Sequence, residues 1–203
     1  MKGALLTVSA ALAVSGLSPV VAQTAAPAPV AAKPAAGGLN DKMINNPITP
    51  WNAYGPGQTA VVLDKEGPKG YPMTRVTVTA KGANAWDAGV IMPLPKPIAA
   101  GDVLYLAVYL RAPELKDGET MPMPFIGITT SGPPYANLAG DHAAITNQWA
   151  QYYATGKAAQ ALAAGGGQAT VHLAGDKHVV DVGPIRVFDL GPGFDTSRLP
   201  RNQ

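Results

Sequence analysis

In the stretch of residues 103–111, Tyr105, Tyr109 and Arg111 fall on one side: two aromatic bodies with hydroxyl tips and a planar, five-donor guanidinium. Such side chains can stack on the apolar C–H face of a sugar ring while hydrogen-bonding its hydroxyls. Trp86, in a turn before Asp87, and Trp149, opening a strand beside Gln151 and Tyr152, add larger flat surfaces of the same chemistry. The expected binding set is therefore Trp86, Tyr105, Tyr109, Arg111, Trp149 and Gln151. Each has a competing role in packing, because large aromatics in β-rich folds are mostly core or sheet-edge anchors. Asp87 can cap its own turn, and Trp51 can simply cover a sheet near the domain entrance.

Reaction chemistry is harder to assemble. No Gly-x-Ser-x-Gly elbow occurs to activate a serine, and the chain has no cysteine to act as nucleophile, disulfide partner or thiolate ligand. Paired carboxylates for glycoside hydrolysis are a spatial matter, and the acidic residues here sit mostly at turn signals. An enzymatic alternative is a polysaccharide lyase on uronate polymers, with a tyrosine or histidine as base and a cation on the carboxylate. Tyr109, His172, Arg75 and Arg111 are the right types, but nothing in their spacing brings them together. No catalytic residue is assigned. His142, His172 and His178 lack metal-ligand spacing.

Strands must position these side chains. Residues 74–80 alternate, with Val76, Val78 and Ala80 on one face and Arg75, Thr77 and Thr79 on the other. In residues 103–111, Leu104, Leu106, Val108 and Leu110 share the face opposite the tyrosines, which makes that face core. Strand signals recur at 59–63, 124–130, 148–155, 168–174 and 178–190, divided by Gly- and Pro-rich turns such as Ser131-Gly132-Pro133-Pro134. Residues 157–164 favour helix but are short and stop at glycines, so at most a turn or two is expected. Seven or more strands without a long helix predict an all-β fold, an antiparallel sandwich of two sheets. Jelly-roll connectivity is preferred, since the cysteine pair and tryptophan spacing of an immunoglobulin sandwich are absent.

Lys2, an apolar run over residues 4–17 and Val20-Val21-Ala22 before Gln23 form the three parts of a secretory signal. Residues 1–22 are expected to be removed on export, leaving no membrane span and a secreted or periplasmic protein. Residues 23–40, rich in Ala and Pro, read as a flexible linker. Residues 41–192 make one domain with a real core, and 193–203 a polar C-terminal tail. Lys and Arg total 15 against 13 Asp and Glu, with no basic cluster, so nucleic acid is not an expected partner. Gly (23) and Pro (20) are abundant and charged residues only 14 %, which suits a turn-rich β domain.

Several segments, taken in order, carry a resemblance. They are Gly70-Tyr71-Pro72-Met73-Thr74-Arg75-Val76-Thr77-Val78, then Trp86-Asp87-Ala88, then Gly101-Asp102-Val103-Leu104-Tyr105, then Trp149 with Tyr152, and Val180-Asp181-Val182-Gly183-Pro184-Ile185-Arg186-Val187. Together they resemble the carbohydrate-binding modules attached to secreted xylanases and related enzymes, of the galactose-binding-like jelly-roll type seen in families 4 and 9. The likeness runs over residues 52–190. It implies non-catalytic recognition of a polysaccharide or oligosaccharide, and a polysaccharide-degrading enzyme as a further partner, brought to its polymer by raised local concentration. No cofactor is expected: modules of this kind often carry a structural calcium, for which Asp64, Glu66, Asp181 and Asp189 are the available carboxylates, but no calcium-loop spacing is present and no metal ligand is assigned. No catalytic domain is expected beside the module in this chain, so the enzyme would be a separate partner. The alternatives are the jelly-roll lyase and a structural or adhesion sandwich whose sugar face has been lost.

Overall fold

The computed structural model describes residues 38–202; the expected leader, and all of the linker except residues 38–40, lie outside the described residues, as does Gln203. Within them, strands β1 (Asn52–Tyr54), β2 (Gln58–Leu63), β3 (Met73–Val78), β4 (Gly89–Leu94) and β5 (Asp102–Arg111) are followed by β6 (Met121–Thr130), β7 (Asn137–Ile145), β8 (Ala150–Lys157), β9 (Gly167–His172) and β10 (His178–Pro192). All pair antiparallel. The first sheet has the order β1-β4-β9-β6-β7 and the second β2-β3-β10-β5-β8. This is the two-sheet all-β sandwich that the alternating pattern predicts. Residues 157–164 form no helical turn; Leu162 instead bridges to Ile98. No helix among the described residues is long and apolar enough to cross a membrane.

The inner faces supply one core. Leu104, Leu106, Val108 and Leu110 of β5 are fully buried, as are Val180, Val182, Ile185 and Val187 of β10, and they join Val90, Met92, Ile126, Ile128 and Val171 of the first sheet. Each such side chain contributes about 1.5–3 kcal/mol on leaving water.

Two bulges decide what the outer faces carry. Between Val182 and Ile185 the pairing of β10 with β5 slips by one residue, so the inward positions change from even to odd. Beyond the slip, where β3 no longer covers β10, Asn45 takes over the ladder: its Oδ1 accepts from Val187 N (2.8 Å) and its Nδ2 donates to Ile185 O (3.0 Å). The second slip, between Met123 and Ile126 of β6, follows the buried Met123 and leaves Phe125 outside the core. Three strands escape the simplest alternation. β1 has only three residues, β4 contains Pro93 past the end of β1, and β7 is interrupted by Gly140-Asp141-His142.

Candidate functional site

The outer face of the first sheet is built around β9, its central strand. Ala169 and Val171 enter the core, so Gln168, Thr170 and His172 lie on the outer face, where Gln168 and Thr170 keep only 8 % and 3 % of their surface exposed. Register places Ile91 of β4 beside Thr170, and Thr129 and Phe125 of β6 beside Gln168 and His172. The Thr129 and Thr170 hydroxyls lie 3.1 Å apart, and Gln168 Nε2 donates to Thr129 Oγ1 at 3.4 Å. The floor is thus a row of neutral polar groups. Glycines keep it low: a Cβ at Gly89 would sit 2.8 Å from the Tyr54 hydroxyl, and one at Gly140 2.5 Å from the Phe125 ring. Both rings therefore lie against the sheet, and Phe125 stacks on His172 with centroids 4.7 Å apart. Tyr54 is pinned by Gln58, whose amide donates to the Tyr54 and Gly89 carbonyls.

Turns raise a wall at each end. Beside His172, the Asp87 carboxylate accepts from Asn84 N (2.8 Å) and Asn84 Nδ2 (3.3 Å), closing the turn on which Trp86 stands 60 % exposed. Beyond Thr129, Thr130 Oγ1 donates to Gly132 O and accepts from Ala136 N, both at 2.9 Å. This loop holds Tyr135 at φ +54°, a left-handed conformation costly for an aromatic residue, with 56 % of it exposed. Between the walls lies an open cleft of about 590 Å³. The strand rise from His172 to Gln168 gives it a length of roughly 13 Å.

Its electrostatics favour neutral hydrogen bonding. Burial, aided by the negative charge of Asp87, pushes the Tyr54 hydroxyl up to about 12, so it remains a donor at neutral pH. Burial lowers His172 below the ordinary histidine value, leaving one N–H and one lone pair. The cleft can stack on flat apolar faces at its rims and exchange hydrogen bonds with hydroxyls along its floor.

The outer face of the second sheet carries five of the six expected binding residues, and most are engaged. Tyr105 is 5 % exposed, stacked between Tyr153 and Phe188 at 5.9 and 6.2 Å. The C-terminal tail covers it: Leu199 packs on this cluster, and Asn202 donates to Tyr153 O (2.9 Å) and accepts from Tyr153 N (2.8 Å). Asn202 also reaches His142 O of β7 at 3.0 Å, stitching the edges of the two sheets. Asp181, fully buried, lies in register between Arg75 and Arg111 on neighbouring strands and pairs with both, at 2.7 and 2.8 Å. The Arg111 guanidinium lies 4.8 Å over the Trp149 ring. Tyr109 and Trp149 close around Gly183, and Gln151 accepts from the Tyr153 hydroxyl at 3.4 Å. Trp51 is buried and donates to Gly183 O at 3.0 Å.

Trp86 therefore belongs to a different sheet from Tyr105, Tyr109, Arg111, Trp149 and Gln151, and the six share no concavity. The lyase candidates are divided likewise, with Arg75, Tyr109 and Arg111 on one sheet and His172 on the other. Of the calcium candidates, Asp181 is taken by its two arginines, while Asp189 lies against Asp102, its carboxyl raised first by burial and then by that neighbour. Among the described residues no three His, Asp or Glu side chains converge as a metal site. Tyr54, Phe125, Tyr135, Gln168, Thr170 and His172 had no place in the expected set. The alternation of Gln168, Thr170 and His172 against Ala169 and Val171 was their one visible signal.

No protein-family model matches the sequence, and no curated protein matches it. Solved structures do match, and they share the fold, a jelly-roll β-sandwich; several of them are described as carbohydrate-binding modules. The CBM22-1 xylan-binding domain from Paenibacillus barcinonensis Xyn10C superposes with a TM-score of 0.51 at 11 % identity, over 74 % of this chain and 92 % of that one. The second N-terminal cellulose-binding domain from Cellulomonas fimi β-1,4-glucanase C gives 0.50 at 19 % identity, over 74 % and 93 %. An arabinose-bound α-L-arabinofuranosidase, MgGH51, gives 0.53 at 13 % identity over 68 % of this chain, which spans only 23 % of that longer enzyme. At these identities the likeness establishes the fold.

Proposed function

We propose that the protein is an exported, non-catalytic carbohydrate-binding module that takes a polysaccharide or oligosaccharide chain along the β9 cleft. The observation that carries this reading is the pair of exposed aromatic side chains, Trp86 and Tyr135, at the two ends of a glycine-lowered, neutral polar floor. Trp86 and Tyr135 stack on sugar faces; Gln168, Thr170, His172 and the Tyr54 hydroxyl bond the ring hydroxyls. Of the side chains first expected to touch sugar, Trp86 keeps that role. Tyr105, Tyr109, Arg111, Trp149 and Gln151 are assigned to holding the second sheet and its tail together. Export rests on the leader pattern of residues 1–22, and a separate polysaccharide-degrading enzyme is the expected beneficiary of binding.

Affinity electrophoresis of the protein through gels containing xylan, cellulose derivatives or mixed-linkage glucan tests the reading, since structural neighbours are described as xylan- and cellulose-binding. Retardation by at least one polymer, lost in Trp86→Ala and Tyr135→Ala, is expected. No retardation by any polysaccharide, or retardation indifferent to both substitutions, refutes the cleft.

A further inference from the structure

Charge is distributed unevenly around the cleft. Of the residues that line it, Asp87 alone is charged at neutral pH: no Lys or Arg is among them, and His172 is neutral. The Asp87 carboxylate is fixed in place by Asn84 N and Nδ2, and both donors are uncharged amides, so neither cancels its charge. Among the described residues it has no ion-pair partner, since the two carboxylate contacts to cations both belong to Asp181 on the other sheet. Lys81 lines a neighbouring depression together with Asp87 and is not among the residues lining the cleft. A ligand chain stacked on Trp86 passes directly beside this fixed negative charge. Sugar hydroxyls can donate to it, whereas a uronate carboxylate meets repulsion with no cation in the cleft to offset it.

We propose that Asp87 makes the β9 cleft selective for uncharged glycans, rejecting chains that carry uronate groups. The inference rests on the cleft being the glycan site, and it assigns to that site a class of ligand and the residue that sets it. A repulsion across a partly hydrated cleft corresponds to about fivefold or more in dissociation constant, and salt weakens it.

The experiment compares a glucuronic-acid-bearing xylan with the same xylan after its carboxyl groups are reduced, measuring dissociation constants by calorimetry. Wild-type protein is expected to favour the reduced polymer by about fivefold or more, and the preference to shrink at high salt. Asp87→Asn keeps an oxygen that accepts the Asn84 N–H, and its preference should fall to about twofold or less. Ser131→Lys, on the opposite rim, supplies a cation without touching the Asp87 turn and should likewise narrow the ratio; it carries the test if Asp87→Asn does not fold. Equal binding of both polymers by wild type, or a ratio unmoved by either substitution, overturns the filter while leaving the cleft intact. Binding of neither polymer, with Trp86→Ala indistinguishable from wild type on every polysaccharide, removes the cleft reading and the filter together.

Discussion

Both outer faces of this sandwich carry tyrosine and tryptophan beside polar side chains, yet only the first sheet's stand mostly exposed, as Trp86 and Tyr135, whereas those of the second are buried or half-buried. On the second sheet, Tyr105 lies beneath the C-terminal tail, and Arg75 and Arg111 converge on the fully buried Asp181. On the first, glycines at Gly89 and Gly140 let Tyr54 and Phe125 lie flat, while the turns at Trp86 and Tyr135 stand up at either end. Aromatic composition does not distinguish a binding face from a folding face. What distinguishes them is whether another part of the chain has already taken the surface.

The contrast can be broken most forcefully at Tyr105. Tyr105→Ala empties the stack with Tyr153 and Phe188 and should cost about 3 kcal/mol of unfolding free energy, measured by urea titration, without weakening polysaccharide retardation of the folded protein. Asp181→Ala leaves two arginines facing each other; because each remains a quarter to a third exposed, at 25 % and 35 %, the loss should be about 2–3 kcal/mol. Trp86→Ala should do the reverse, reducing polysaccharide affinity about tenfold while moving the urea midpoint by less than about 0.5 kcal/mol equivalent. If Trp86→Ala destabilises and Tyr105→Ala abolishes binding, the roles of the two faces are exchanged. Asn202→Ala removes the tail's bonds to both strands of Tyr153 and His142 and should cost about 1–2 kcal/mol, with faster amide exchange along β8.

The smallest effect is a pH dependence. Burial lowers both His172 and His178 below 6.5. As pH falls, the unfolded chain takes up these protons first, so stability present above pH 6.5 is lost as pH drops through the folded-state values. Urea midpoints should decline from pH about 7 to about 5, and a His172→Gln, His178→Gln double variant should flatten that decline.

Much of the scaffold was legible from residue order. The alternation in β3 and β5 fixed which side of each is core, and the Gly/Pro spacing announced short strands joined by turns. The site was less so. The tyrosine row of β5 has the chemistry of a sugar platform, but nothing local reveals that Phe188, Tyr153 and Leu199, all distant in sequence, close over it. Conversely, Gln168, Thr170 and His172 sit in an unremarkable strand. They become a floor only because β4 and β6 bring Ile91 and Thr129 alongside.

The class of fold is a local matter, because a two-residue period and the balance of apolar and polar faces are properties of neighbouring residues. The cap that Asp87 places on the turn carrying Trp86, a contact spanning three residues, is equally local. Which outer face stands most exposed is a long-range outcome. Whether a surface is covered depends on where the tail, the bulges at Pro124 and Pro184, and the register of strands far apart in the chain bring their side chains, and no local pattern encodes that.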